Sequence, residues 1–346
     1  MIKRILTRGG MLIVAAFVIW GIVLTRDGAL TTPEGSGTVV TVAGEFEGFA
    51  LPDYAADALN GDFKSYLGEV GSGLKMHVLE IGQGQPVYLQ HGLPTSGLLY
   101  RQLADILPQE DFRLILPTLI GLGFSSKIPA SQHVLDDHIE WTNAMLNRLD
   151  LQDVIYVGHD WGGPIGAGAL ARSPELMGGM VVLNTVLDAP RAPREAPAVL
   201  RLVQAPVLGE LILEGITSFF AFLPGSQNDP DTMSPDVVAL YSRPLEDSGN
   251  RKAPLAFARM SVLSPENPDA QILRVTEDYL INHPVPTEIV WGMNDPVLGG
   301  RLADMQALLP WATVTETEAG HFLQEEVPGE VAAAIQRVSQ QMKSED

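Results

Sequence analysis

The chain has 346 residues, with 22 Lys+Arg against 42 Asp+Glu and a formal net charge of −20. That balance leaves no basic stripe to neutralise phosphates, which argues against a nucleic-acid partner, while 46% hydrophobic residues supply a sizeable core and exclude a disordered chain. With no Cys, disulfides, thiolate metal sites and a cysteine nucleophile are removed.

A mean hydropathy of +0.12 is unusual for so acidic a chain and points to a local apolar concentration. Residues 11–25, MLIVAAFVIWGIVLT, are that concentration; they carry no charge, follow Lys3, Arg4 and Arg8, and precede Arg26. Such a run lies between a signal-peptide core and a minimal membrane span. No small-x-small cleavage site follows it, so residues 1–26 read as an uncleaved signal anchor, with a cleaved signal as the alternative. The basic flank holds the N-terminus in the cytoplasm and sends the rest outward. The expected location is the cell membrane, single-pass, with the main domain outside the cytoplasm; cleavage would leave it secreted or periplasmic. Residues 27–61, opening with GALTTPEGSG, read as a tether or ordered arm and not as a core element.

From residue 62 the chain alternates. Strands are expected at 74–81, 86–90, 112–116, 154–158, 179–183, 287–291 and 312–317, and helices at 98–107, 131–149, 164–172, 301–309 and 328–342. The run VIYVG at 154–158 is continuously apolar, as a strand buried on both faces should be. Alternating β and α elements imply an α/β fold with a mostly parallel sheet covered on both faces. Residues 187–283 break the rhythm, being Pro-studded and largely helical. They read as a helical cap inserted between 62–186 and 284–346.

The strongest motif is VIYVGHDWGG at 154–163, a buried strand running into Gly-x-x-x-Gly and then a helix. Small residues at Gly158 and Gly162 permit a sharp turn that lifts one side chain clear of the sheet edge. In the esterase version of this elbow that side chain is Ser; here it is Asp160, a carboxylate able to attack an sp³ carbon and form an enzyme ester. The loop QHGLP at 90–94 follows a strand and can aim the Leu93 N–H at the nucleophile, with the Trp161 N–H as the other half of an oxyanion hole. His91 in that loop reads as structural. WGMNDP at 291–296 and AGHF at 319–322 complete the order nucleophile, acid, His. His321 would activate water and Asp295 would hold its tautomer, with Asp188 a weaker alternative acid.

On these motifs, residues from about 62 to 340 resemble the α/β-hydrolase superfamily, and within it the aspartate-nucleophile branch of haloalkane dehalogenases and epoxide hydrolases. HGLPTSGLL at 91–99, LPTLIGLGFSSK at 116–127, LNT at 183–185, ALYSRP at 239–244, MNDPVLG at 293–299 and GHFLQE at 320–325 look closest to dehalogenases. Some dehalogenases place the acid after the sixth strand, where this chain has Asn184, and others after the seventh, which favours Asp295. The resemblance implies that Asp160 displaces halide from carbon, that the Trp161 indole cradles the departing halide, and that His321 then activates water against the ester. Substrates would be small apolar molecules, with water as cosubstrate and neither cofactor nor metal.

One departure stands out. Dehalogenases pair the first Trp with a second donor, an Asn after His-Gly or a cap Trp. Here the first position is Leu93, and the Trp residues, at 20, 141, 161, 291 and 311, leave 187–283 without one. Losing one of two charge-assisted donors costs a halide about 1–3 kcal/mol, unless another group such as Gln204 substitutes. The runner-up activity is epoxide hydrolysis, for which Tyr241 and Tyr279 are the candidate cap acids. An alternative of another class is an inactive membrane-tethered binding protein, which the intact Asp160–Asp295–His321 set opposes. Asp136-Asp137-His138 reads as a solvated helix face, Glu325-Glu326 as a cap for the last helix, and Met145, Met177 and Met180 as core.

Overall fold

The computed structural model describes residues 25–345 except 197, 212–213 and 215–217. Ten strands form one sheet in the order β1-β2-β3-β4-β6-β5-β7-β8-β9-β10. Strands β5 (Gln85–Gln90), β6 (Phe112–Pro117), β7 (Val154–His159), β8 (Met177–Leu183), β9 (Thr287–Gly292) and β10 (Thr313–Thr317) run parallel. β4 (Lys75–Gly82) is antiparallel to β6, and β1 (Thr38–Thr41), β2 (Gly44–Gly48) and β3 (Lys64–Glu69) continue the sheet antiparallel beyond it. Every residue of β5 from Val87 and all of β6, β7 and β9 are buried, as expected of parallel strands with both faces covered.

Helices α1 (Leu135–Arg148) and α2 (Gly162–Arg172) pack together on the sheet. The C-terminal helix, Pro328–Glu345, packs on β8 and β9 and on a 3₁₀ segment at Gly97–Asp105. That segment was expected to be an α-helix. Its Gly97 N–H donates to Thr118 Oγ1, and the Gly97 backbone lies so close to Leu116 that an added Cβ would stand 2.4 Å from the Leu116 carbonyl oxygen. The segment is thus pressed onto the end of β6.

The N-terminal arm differs from its expected form. Residues 38–48 form a hairpin closed by Val42-Ala43 and paired through Glu47 and Gly48 to β3, so part of the supposed tether belongs to the sheet. Upstream, Thr31 exchanges both backbone hydrogen bonds with Lys127, Asp27 accepts the Ser131 N–H at 2.7 Å, and Asn250 donates to the Ala29 carbonyl at 2.7 Å. The arm therefore straps the core and the insertion together. The apolar run at 11–25 falls outside the described residues but for Thr25. Among the described residues no helix is long and apolar enough to cross a membrane.

The insertion holds α3 (Ala198–Gln204), α4 (Pro235–Ser248) and α5 (Ala253–Arg259), with no strand among its described residues. Helix α4 opens on Ser234, whose hydroxyl accepts the Val237 N–H, and stops at Gly249 in the left-handed region at φ 69°. The next helix, α6 (Ala270–Asn282), lies inside the expected cap range of 187–283 yet packs on α2 beside the sheet. Its Glu277 carboxylate accepts the Ala189 N–H and its Tyr279 hydroxyl meets the Pro174 carbonyl. The apolar stripe of α6 fits a cap helix or a core helix equally; only its partner tells them apart.

The turn between β7 and α2 leaves no room for a side chain: a Cβ on Gly162 would stand 2.2 Å from the Gln90 carbonyl oxygen, a backbone atom that cannot step aside. Gly162→Ala should accordingly lower stability by about 1–3 kcal/mol or more, seen as a lower denaturation midpoint; an unchanged midpoint contradicts this close approach.

Candidate active site

The site lies at the carboxyl edge of the parallel strands, where five strand ends converge. Asp160 follows β7, Leu93 lies after β5, Asn184 after β8, Asp295 after β9 and His321 after β10. Ligands of α/β sheets bind at this edge because the loops that leave it are free to vary.

Asp160 sits in the left-handed region at φ 48°, which a non-glycine residue adopts only when its surroundings demand it. The demand is visible. Its N–H donates to the Asn184 carbonyl at 3.1 Å, its carbonyl accepts the Thr185 hydroxyl at 2.6 Å, and the Gly163 N–H reaches the same carbonyl at 3.0 Å. The carboxylate is aimed at the loop after β5, where Oδ2 accepts the Leu93 N–H at 2.8 Å. The Trp161 N–H also hydrogen-bonds this carboxylate. A Cβ on Gly92 would stand 2.5 Å from Oδ2, so only glycine lets the loop come this close. Both expected oxyanion donors are thus already on the Asp160 carboxylate.

His321 and Asp295 are both buried, and His321 Nδ1 meets Asp295 Oδ2 at 2.8 Å. With Nδ1–H donating to the carboxylate, Nε2 is left as the basic nitrogen. The same Oδ2 accepts the Asn184 amide at 2.8 Å, and Oδ1 accepts the Val297 N–H at 2.7 Å. Every Asp295 oxygen is therefore spoken for, which suits an orienting acid. Asn184, at the alternative acid position, also accepts the Gly292 N–H at 2.7 Å and so bolts the two strand ends together. Asp188 is bound to Arg194 and Arg301, not to His321.

The electrostatics follow from these contacts. Burial pushes the Asp160 carboxyl up, against the pull of His321 and of the Trp161 and Leu93 N–H groups. Burial opposes ionisation of Asp295 too, but His321, Asn184 and the Val297 N–H hold it down to about 2. For His321, burial favours the neutral ring, yet Asp295 and then Asp160 outweigh it and raise the pKa above 6.5. Two carboxylates driven apart around one imidazole is the pattern of assigned acid–base roles.

Other candidates resolve individually. His91 is structural: Nδ1 meets the Gly92 carbonyl at 2.8 Å and Nε2 accepts the Leu119 N–H at 3.0 Å, and burial depresses its pKa to about 4. The Trp161 ring meets Phe257 of α5 edge-on, with centroids 5.9 Å apart, so an apolar insertion residue borders the nucleophile. The Gln204 amide lies against the Ala258 carbonyl at 3.4 Å. Tyr241 is fully buried and its hydroxyl donates to Glu325, which also holds Arg101 in a two-pronged ion pair. Tyr279 is on α6. The Tyr241 hydroxyl is thus taken up by Glu325 and the Tyr279 hydroxyl by the Pro174 carbonyl. Glu325 is buried in that Arg101 cluster and Glu326 accepts the Gly320 and Asp229 N–H groups, so neither caps the last helix as expected. His138 is not on a solvated face: it is fully buried, 3.1 Å from His133 Nδ1. Met145, Met177 and Met180 are core. No cluster of metal-binding side chains occurs among the described residues.

The sequence reading missed Asn184 as a support for Asp295, and also His159 and Gln227 beside His321. Asn184 and His159 carried local signals, as the residue at the alternative acid position and as the residue before Asp160; Gln227 carried none.

Comparison with known proteins agrees with this geometry. Residues 85–328 match the family model described as the alpha/beta hydrolase fold. The chain is 31% identical over 275 residues to a cis-3-alkyl-4-alkyloxetan-2-one decarboxylase of Shewanella oneidensis, covering 76% of this chain and 85% of that protein. It is 30% identical over 275 residues to a haloalkane dehalogenase of Mycolicibacterium paratuberculosis, covering 76% and 86%. The crystal structure of the haloalkane dehalogenase DatA from Agrobacterium tumefaciens C58 superimposes with a TM-score of 0.70 at 24% identity, over 81% of this chain and 97% of that one. The last likeness speaks for the fold, the first three for descent, and together they make this chain a member of the α/β-hydrolase fold family and an enzyme of the haloalkane-dehalogenase-like type.

Proposed function

We propose that the enzyme works through a covalent ester on Asp160 and hydrolyses carbon–halogen bonds of small apolar haloalkanes. The observation that carries this reading is the Asp160 carboxylate held on Oδ2 by the Leu93 N–H, beside an intact His321–Asp295 pair. With Oδ2 held, Oδ1 is the attacking oxygen: it forms the bond to carbon while the carbon–halogen pair leaves as halide beside the Trp161 indole. His321 Nε2 then takes a proton from water, which adds to Cγ of the ester. The charge that develops on Oδ2 meets the Leu93 N–H already in place, with the Trp161 N–H on the same carboxylate. Collapse expels the alkoxide, which keeps the former Oδ1 and takes the proton from His321 to leave as alcohol; the new oxygen stays on Asp160, whose remaining proton passes to solvent.

A second reading is favoured by Leu93, which supplies no side-chain donor for a halide, and by the 31% identity to an oxetanone decarboxylase. In a four-membered lactone the leaving carboxylate stays tethered and needs no halide cradle. Asp160 would open the ring at the carbon bearing oxygen. Cleavage of the carbon–carboxylate bond would then supply the electron pair of an alkene, release carbon dioxide and expel Asp160 unchanged, with no water consumed.

We further propose that residues 11–25 anchor the chain in the cell membrane with the catalytic domain outside the cytoplasm. The uncharged run and the flanking Lys3, Arg4 and Arg8 support this.

The deciding assay offers the full-length enzyme brominated alkanes, a cis-3,4-dialkyl-oxetan-2-one and simple epoxides side by side. Bromide and alcohol are expected from the first; alkene and carbon dioxide from the lactone alone would select the second reading, and diol alone would sink both. A single turnover in heavy-oxygen water should label Asp160 and leave the alcohol unlabelled.

The pH dependence has a definite sign. Asp160 is one of the anions that raise the His321 pKa, and alkylation removes that charge. The base must be neutral to act, so ester hydrolysis should fail as pH drops, with its midpoint below the pH at which His321 titrates in the free enzyme. Equal midpoints would show that Asp160 does not act on the base.

For the anchor, full-length protein should sediment with membranes and resist extraction by high salt. Recovery in the soluble fraction with residues 1–25 still attached refutes it.

A further inference from the structure

His321 is held by more than Asp295. Its own N–H donates to the Ser226 carbonyl at 2.9 Å, and its carbonyl accepts His159 Nε2 at 2.8 Å. One residue on, the Phe322 N–H donates to Gln227 Oε1 at 2.9 Å while Gln227 Nε2 donates back to the Phe322 carbonyl at 3.1 Å. A single carboxamide thus pairs both backbone groups of Phe322 as a neighbouring strand would. Only an amide side chain carries a donor and an acceptor side by side in this way. The fit is tight: a Cβ on Gly320 would stand 2.4 Å from the Ser226 carbonyl oxygen and 2.5 Å from Gln227 Cα. Gln227 is 8% exposed and His159 fully buried.

We infer that Gln227 and His159 are positioning residues for His321 in the hydrolysis of the Asp160 ester, and that the insertion is fastened to the base and not merely laid over the nucleophile. The inference rests on the covalent reading above. Ser226 and Gln227 belong to the insertion, whereas His321 belongs to the core, so this segment cannot lift without unseating the base. Gln227 is uncharged, and burial drives His159 down to about 3. The clamp therefore keeps its hydrogen bonds across the pH range in which His321 titrates. Attack by Asp160 on carbon needs no base, but water activation needs the imidazole within hydrogen-bond reach of a water above Cγ. Loosening the clamp should slow the second step and spare the first. Displacements near 1 Å cost on the order of a hundredfold.

The experiment uses the full-length enzyme with a brominated alkane in rapid-quench mode, reading bromide for alkylation and the Asp160 ester by mass spectrometry. Gln227→Ala should give a full bromide burst, then ester loss slowed by roughly tenfold to a hundredfold, with ester accumulating. Gln227→Glu keeps the acceptor for the Phe322 N–H but sets a carboxylate against its carbonyl, and should be slow in the same step. His159→Phe, which removes the donor, should accumulate ester more than His159→Gln, which retains one; this pair decides the matter if Gln227→Ala does not fold. A lowered melting temperature with unchanged ester hydrolysis, or an equal loss in both steps, overturns the positioning role. Absence of any ester in wild type and in His321→Gln overturns the covalent reading itself, and this inference with it.

Discussion

The site depends first on the backbone of one residue. Asp160 occupies the left-handed region at φ 48°, a conformation that costs of order 1–3 kcal/mol for a residue with a side chain. What holds it there is a set of bonds from neighbouring strand ends, through the Asn184 carbonyl and the Thr185 hydroxyl, together with glycines at 92, 162 and 163 where no Cβ fits. The strain has a return. It points the carboxylate off the sheet edge, with the Leu93 N–H on Oδ2 and the Trp161 N–H on the same carboxylate before any substrate arrives. An oxyanion site built in advance needs no reorganisation as charge develops.

Around this point the charges are sorted by environment. Asp160 and Asp295 flank one buried imidazole, but Asp295 is bonded to His321 and Asn184 on one oxygen and to the Val297 N–H on the other, while Asp160 is held by the backbone N–H groups of Leu93 and Trp161. The same burial that raises both carboxyls is overcome at Asp295 and not at Asp160. Local hydrogen bonding, not residue type, separates the two carboxylates. Asn184 shows how the support is shared: its amide holds Asp295, and its backbone carbonyl holds the N–H of Asp160.

The insertion is integrated into the core by polar anchors. Glu325, four residues beyond His321, ties Arg101 of the core and Tyr241 of α4 into one buried cluster. Asp188 joins Arg194 to Arg301. Buried pairs of this kind add little net stability, because desolvation offsets the attraction, but breaking one is costly because it strands the other charge. Both clusters join a residue of the insertion to a residue of the core, Tyr241 to Glu325 and Asp188 to Arg301. Tyr241 is occupied in this way, by a partner that its place in the sequence does not announce.

The sequence alone determined the α/β class and singled out Asp160, His321, Asp295, Leu93 and Trp161, which the fold brings together, because each lies in a motif of contiguous residues. A buried strand, a tight glycine turn and the residue it presents occupy a dozen positions, and their order along the chain is conserved by the topology itself. Tertiary structure decided what joins residues far apart. Asn184 meets Asp295 across 111 positions, Gln227 meets Phe322 across 95, and Arg101 meets Glu325 across 224. A hydrogen bond leaves no periodic trace in the chain that makes it, and an amphipathic helix such as α6 states that it needs a partner without saying which. The hairpin at 38–48 was likewise invisible, since four- and five-residue strands carry too little alternation and become strands only where β3 offers an edge.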